Sequence, residues 1–160
     1  MTRALFVAII CALTVSPVLA SQGEQQLSVK ALYAHPDQSA GGAAIEYCYH
    51  LSDLWKVGAE GGWIGGDPNE SRPYFGISAG IQLDAISWVP YLQLATSLHM
   101  GEGDPMGTGW LIGVEAGADY RPSRTLSIGL WTGYHQVISA QDARNMPSFF
   151  AAGIKVSTFF

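Results

Sequence analysis

The last twelve residues of the chain, 149–160, alternate in polarity along their whole length. The positions that can face an apolar surface are Phe150, Ala152, Ile154, Val156 and Thr158, and those that face the other way are Gly153, Lys155 and Ser157. Successive side chains of a β-strand point to opposite sides, so these two sets occupy different faces. One face for lipid and one for a polar interior is typical of a transmembrane β-barrel strand.

The same alternation recurs in seven further segments. Each is near the roughly nine to eleven residues that a tilted membrane strand needs. We predict strands at 26–34, 43–51, 55–64, 74–83, 88–100, 109–120, 125–137 and 149–160. Tight turns at 52–54, 84–87 and 121–124 alternate with longer connections at 35–42, 65–73, 101–108 and 138–148. This alternation of short and long connections predicts an all-β, eight-stranded antiparallel up-and-down transmembrane barrel, with short periplasmic turns and longer external loops.

The outward face of these strands carries no charged residue. Its members are Val29, Ala31, Ile45, Tyr47, Tyr49, Val57, Ala59, Ile77, Ala79, Ile81, Leu92, Leu94, Leu98, Ile112, Val114, Ala116, Leu126, Ile128 and Leu130. A charge that faces lipid at the bilayer midplane costs about 2–4 kcal/mol, so its absence across eight segments favours a membrane wall.

Aromatic residues on the outward face gather at the strand ends. At the predicted periplasmic end they are Trp55, Trp88, Tyr120 and Phe160. At the predicted outer end they are Tyr33, Trp63, Phe75, Trp110, Tyr134 and Phe150. Because such rings prefer the boundary between membrane and water, two aromatic girdles are expected.

The inward face carries the charges of the strands, namely Lys30, Glu46, Lys56, Glu60, Glu115, Asp119 and Lys155. Hairpin pairing and barrel closure predict one buried cluster of Lys30, Glu46, Glu60 and Lys155. Our main interpretation of these charged side chains is that they form ion pairs with one another and fill an interior too narrow for a channel. Inward glycines leave space, so a narrow solute pore is an alternative.

Residues 1–20 combine a basic start, an apolar stretch and Val18-Leu19-Ala20, and they predict a cleaved signal peptide. Residues 21–160 are then a single barrel domain.

Removing Arg3 from eight basic residues leaves seven against 13 acidic residues, a net charge of −6. This balance argues against nucleic acid as a partner. Cys48 is the only cysteine after residue 20, which excludes an internal disulfide.

The chain resembles the small eight-stranded outer-membrane barrels of Gram-negative bacteria, the family of the OmpA transmembrane domain and OmpX. The resemblance rests on the signal peptide, the number of strands, the aromatic girdles and the terminal aromatic residue. The resemblance implies a bacterial outer-membrane location and contact with outer-membrane lipid and lipopolysaccharide. It also implies that the barrel-assembly machinery recognises the last strand through Ile154, Val156 and Phe160, although Thr158 departs from the usual pattern. OmpA carries a periplasmic peptidoglycan-binding domain, and that role is not carried over.

No catalytic, cofactor or metal site is predicted. The four histidines lack metal-ligand spacing, and neither a phosphate-binding loop nor a nucleophile elbow is present. A second alternative is a lipid A-modifying hydrolase, for which His135 and Ser139 are the candidates near the outer rim, but they lack that family's spacing. We predict a non-enzymatic barrel with a structural or surface-interaction role, whose external loops could contact an unidentified extracellular partner.

Overall fold

The computed structural model describes residues 23–35, 40–65, 72–83, 87–100, 108–140 and 148–160. These residues form eight strands. In chain order the strands are β1 (Gln25–His35), β2 (Ala40–His50), β3 (Trp55–Gly65), β4 (Arg72–Gln82), β5 (Trp88–His99), β6 (Gly109–Ser123), β7 (Leu126–Ala140) and β8 (Phe149–Phe159). The predicted signal peptide and most of the four longer connections lie outside the described residues.

Each strand pairs with its neighbour in the chain, and β8 pairs with β1 to close the sheet. All pairings are antiparallel, and the closing pair sets Val29 against Val156 and Lys30 against Lys155. The predicted eight-stranded antiparallel barrel is therefore confirmed. No helix among the described residues is both long and apolar enough to cross a membrane.

Short connections and both ends of the described chain lie at one end of the barrel, which we call the turn end. The connections there join β2 to β3, β4 to β5 and β6 to β7. The opposite end, where β1 connects to β2 and β7 to β8, is the loop end. Backbone bonds from Gln25 N to Phe160 O and from Phe160 N to Gln25 O tie the two chain ends together at the turn end.

Burial follows the period of two that the sequence predicts. In β5, Val89, Tyr91 and Gln93 are buried while Trp88, Leu92 and Leu94 are exposed. Because the exposed set is apolar and the buried set includes lysine, glutamate and glutamine, the barrel has an inverted polarity compared with a soluble protein. That inversion suits an outer wall in lipid and a polar lumen.

The hairpin of β6 and β7 is longer than predicted, with 15 residues in each strand. Register shifts between Trp110 and Leu111 and between Tyr120 and Ser123 insert extra residues into the pairing. The predicted turn at 121–124 is accordingly wrong, since β6 continues to Ser123 and only residues 124 and 125 turn. A bulge keeps a strand paired beyond the point where its alternation breaks.

Two threonines on the outer wall have hydroxyls that donate to the backbone of a neighbouring strand. The hydroxyl of Thr96 donates to Leu111 O at 3.1 Å, and that of Thr132 donates to Ala151 O at 3.1 Å. A hydroxyl that faced acyl chains without a partner would carry a desolvation cost. These two residues therefore fit an apolar wall.

Candidate functional site in the lumen

Lys30 of β1 lies at the centre of the charged lumen. Its Nζ is 3.3 Å from Glu46 Oε1 and 3.4 Å from Glu115 Oε2, and it also contacts Glu60 Oε2. β2 and β3 supply Glu46 and Glu60 as register partners, and Glu115 reaches in from β6 on the far wall. One buried ammonium is thus shared by three carboxylates, an arrangement that charge-assisted hydrogen bonds stabilise.

Three of the four residues predicted for the buried cluster are in contact, and the fourth forms a separate pair. Lys155 stands opposite Lys30 in the register of β1 and β8. Its Nζ lies 2.8 Å from Asp119 Oδ2 on β6, so the two lysines serve different carboxylates.

Two neutral side chains donate further hydrogen bonds to the carboxylates. Gln93 Nε2 donates to Glu115 Oε2 at 2.8 Å and to Glu46 Oε1 at 3.2 Å. The hydroxyl of Tyr74 donates to Glu60 Oε1 at 2.6 Å. Sequence reasoning missed both roles, although alternation in β4 and β5 already places these residues on the inward face.

Aromatic rings lie beside all three lumen lysines. The Nζ atoms of Lys56 and Lys155 are 4.2 Å and 4.1 Å from the ring centre of Tyr91, and Lys30 Nζ is 5.2 Å from that of Trp131. Ammonium groups bind the faces of such rings, so the large inward aromatics hold the cations as well as fill space.

The turn-end half of the lumen is filled by polar side chains. Gln26 Nε2 donates to Ser157 Oγ at 3.0 Å, and the hydroxyls of Ser28 and Ser157 are 2.9 Å apart. Nearby, Gln82 Nε2 lies 3.0 Å from His50 Nδ1, and all these residues are buried. The inward residues here contact one another between the adjacent strands β1 and β8 and, from β2 to β4, across one intervening strand.

A cavity that is partly open to solvent occupies the loop-end half of the lumen. We call it the loop-end cavity. Glu46, Glu60 and Glu115 line it together with Gln93, and aromatic side chains form much of its wall. His99 stacks on Tyr74 with ring centres 4.9 Å apart, and His135 stacks on Phe149 at 5.1 Å.

The candidates for hydrolysis lie on opposite faces of β7. His135 lines the loop-end cavity, and its Nε2 is 3.7 Å from Glu115 Oε1. Ser139 is exposed and pairs with the outward-facing Trp110 beyond the bulge. This placement does not assemble a nucleophile and its base. Among the described residues, no group of three or more His, Cys, Asp or Glu is arranged to hold a metal ion.

The aromatic residues predicted to form girdles are exposed on the outer wall near the strand ends. They are Trp55, Trp88 and Tyr120 at the turn end and Tyr33, Trp63, Phe75, Trp110, Tyr134 and Phe150 at the loop end. Trp88 packs on Tyr120 with ring centres 5.2 Å apart, and Tyr134 packs on Phe150 at 4.8 Å. The residues of the suggested assembly signal, Ile154, Val156 and Phe160, are also exposed on this wall.

No protein-family model matches the chain, and no curated protein matches it. Solved structures do. The N-terminal β-barrel domain of Pseudomonas aeruginosa OprF is 15% identical, with a TM-score of 0.62 over 87% of this chain and 100% of that chain. A second match is Ail, the attachment invasion locus protein of Yersinia pestis, solved in complex with the heparin analogue sucrose octasulfate. It is 13% identical, with a TM-score of 0.61 over 88% of this chain and 100% of that chain.

A de novo designed transmembrane β-barrel is 16% identical, with a TM-score of 0.61 over 88% of this chain and 99% of that chain. At such identities the likeness concerns the fold, and a designed barrel among the matches underlines that the fold by itself specifies no activity. The chain therefore has the fold of the small eight-stranded outer-membrane β-barrels.

Proposed function

We propose that the protein is a non-enzymatic integral barrel of the bacterial outer membrane, with a structural or surface-interaction role. The inverted polarity of the barrel carries this proposal. Lys30, Glu46 and Lys155 are almost fully buried in the lumen, whereas side chains such as Leu94 and Leu130 are exposed on an uncharged wall. A contiguous apolar surface around the whole molecule requires lipid or a partner to cover it.

The packing of the lumen supports this role over a solute pore. Buried pairs of Gln26 with Ser157 and of His50 with Gln82 occupy the turn-end half, and the ion pair of Lys155 with Asp119 bridges β8 and β6 above them. Eight-stranded barrels have interiors that side chains can fill. A planar bilayer measurement checks this, because steady single-channel conductance from the purified barrel would favour the pore instead.

The proposed orientation places the loop end outside the cell and the turn end in the periplasm. Cysteine labelling in intact cells tests it, with one cysteine introduced between residues 66 and 71 and another, in a separate variant, at Ser52. The native Cys48 is 1% exposed and should stay unlabelled, so it provides an internal background. A membrane-impermeant maleimide should label the first variant in intact cells and the second only after lysis.

Labelling of Ser52→Cys in intact cells would show that the turn end, and not the loop end, faces the outside of the cell. Labelling of neither variant after lysis, or recovery of the protein in the soluble fraction, would contradict the membrane assignment itself. The proposed partners are outer-membrane lipid and lipopolysaccharide around the wall, and the assembly machinery through β8.

A further inference from the structure

Two aromatic pairs meet across the lumen at the loop end. Tyr74 and His99 are register partners on β4 and β5, and their rings stack with centres 4.9 Å apart. His135 and Phe149 are register partners on β7 and β8, with ring centres 5.1 Å apart. The rings of His99 and Phe149 then meet edge to face at 6.3 Å. Because β5 and β8 are not neighbours in the sheet, this contact spans the interior, and we call the four rings the aromatic bridge.

The aromatic bridge lies between the charged centre of the lumen and the loop end. Its four residues line the loop-end cavity, and Tyr74 and His99 are 8% and 4% exposed. Tyr74 lies one inward position nearer the loop end than Gly76, the register partner of Glu60, and its hydroxyl donates to Glu60 Oε1. The bridge therefore separates the carboxylates from the water at this end of the barrel.

His135 of the bridge has an acidic neighbour. Its Nε2 is 3.7 Å from Glu115 Oε1 on β6. Lys30 on β1 is a further charged group that acts on this ring, and it contacts the same carboxylate. A proton on His135 would form an ion pair with Glu115, so a charged ring can stay in the lumen.

His99 has cationic neighbours instead. Arg72 on β4 and a protonated His135 on β7 are the charged groups that act on it, and Tyr74 is the titratable group packed against its face. Its Nε2 lies 3.2 Å from Ser97 Oγ, and it forms no ion pair with a described carboxylate. A proton on His99 would therefore bury an unpaired charge, a cost that exposure of the ring to water removes.

We propose that the aromatic bridge is an acid-sensitive closure of the loop-end cavity. At neutral pH the uncharged ring of His99 stays between Tyr74 and Phe149, and the bridge is closed. On acidification His99 takes up a proton and its ring moves out to water, while His135 stays beside Glu115. The turn-end half keeps its packing, so the change admits water to the cavity without making a pore. This role goes beyond the proposed function, which requires no response to pH.

The direction of the pH dependence follows from proton linkage. The open form binds one proton more than the closed form, so acid favours the open form. An imidazole in water gains its proton near pH 6.5, and below that pH the ratio of open to closed form rises by up to about tenfold per pH unit. Histidine is the side chain best suited to such a response.

Thiol reactivity of the barrel in phospholipid nanodiscs tests the proposal. The reporter is Ala95→Cys in a Cys48→Ala background, since Ala95 lines the loop-end cavity. Its rate of reaction with 4,4′-dithiodipyridine is divided by the rate of N-acetylcysteine at the same pH, which corrects for ionisation of the thiol. This rate ratio should rise roughly tenfold from pH 7.5 to pH 5.5.

Three variants in the reporter background separate the bridge from a general effect of acid. His99→Phe keeps an aromatic ring but cannot take up a proton, so its rate ratio should stay low at both pH values. Phe149→Leu removes the ring that His99 meets across the lumen, so its rate ratio should already be high at pH 7.5. His50→Gln is the matched control, because it removes a buried lumen histidine at the turn end, and it should keep the full acid response.

A rate ratio that is the same at both pH values, or an equal acid response in His99→Phe, would overturn the proposal. Loss of the response in His50→Gln would also overturn it. Far-UV circular dichroism at both pH values checks that the barrel is folded, and a rise in rate that accompanies unfolding counts against the bridge. If His99→Phe does not fold, His99→Gln replaces it with the same expectation of no acid response. Failure here would leave the membrane assignment intact, since labelling in cells tests that separately.

Discussion

The ammonium of Lys155 on β8 lies 2.8 Å from Asp119 Oδ2 on β6, although a whole strand separates the two residues. Gly129 of β7 is the register partner of both. A Cβ atom at this glycine would lie 1.9 Å from Asp119 Oδ1, so only the absence of a side chain lets the ion pair cross the strand. The glycine is therefore part of the charge network.

Gly129→Ala should destabilise the barrel by about 1–3 kcal/mol, because the added methyl displaces the Asp119 carboxylate inside a packed lumen. Urea unfolding in phospholipid vesicles measures the loss. Gly61→Ala is the matched control, since its nearest neighbours would be Tyr74 O at 3.8 Å and the Phe75 ring at 4.0 Å. Similar unfolding free energies for the two variants would contradict the role given to Gly129.

Lys30→Met should be among the most destabilising substitutions, with a loss of about 3–5 kcal/mol, because it leaves the buried Glu46 and Glu115 and the partly buried Glu60 without their shared cation. Adding Glu60→Gln should recover part of the loss by removing one of those charges. The same unfolding measurement on both single variants and the double variant gives the coupling energy. Losses that add within about 0.5 kcal/mol would show that the two residues act independently.

Leu94→Arg tests the position of the membrane around the wall. Leu94 lies near the middle of β5 and is 59% exposed, so a charge there should cost about 2–4 kcal/mol. Ile138→Arg places the same charge at a similarly exposed site level with Trp110 of the loop-end girdle, where the cost should be about 0–1 kcal/mol. Equal unfolding free energies for the two arginine variants in vesicles would mean that the apolar belt does not lie in the bilayer.

Phe160→Ser should slow assembly in living cells, since we propose that the assembly machinery reads the aromatic residue that follows β8. Phe150→Ser is the control, because Phe150 is an equally exposed aromatic at the other end of the same strand. The measurement is the fraction of protein with folded gel mobility after a short pulse of synthesis. An equal delay in both variants would indicate a general loss of membrane anchoring rather than loss of a signal.

The barrel itself could be predicted from sequence because a single physical rule governs it. Every strand needs one apolar and one polar face, and that rule leaves a period of two that is readable in β5 or β8 without any structure. The extended hairpin of β6 and β7 escaped this reasoning. Val137 and Ile138 are both apolar, so alternation stops at the bulge while backbone pairing continues to Ala140.

The contacts of the lumen were only partly predictable. Pairing between neighbouring strands places Glu46 opposite Glu60, which hairpin reasoning anticipates. The contact of Lys30 with Glu115 instead spans the interior, from β1 to β6. Such a contact depends on barrel diameter and strand stagger, which no local pattern encodes. The partner of Lys155 lies one strand further away, across Gly129, so pairing with adjacent strands alone does not reveal it.

Lys30 and Lys155 sit on the first and last strands, which meet only when the sheet becomes a cylinder. A half-inserted open sheet would turn both ammonium groups and two unpaired strand edges toward hydrocarbon, and none of these can find water there. Entry into the bilayer and joining of the first and last strands should therefore be a single concerted event for this chain. An inserted but unsealed intermediate would be too high in free energy to accumulate.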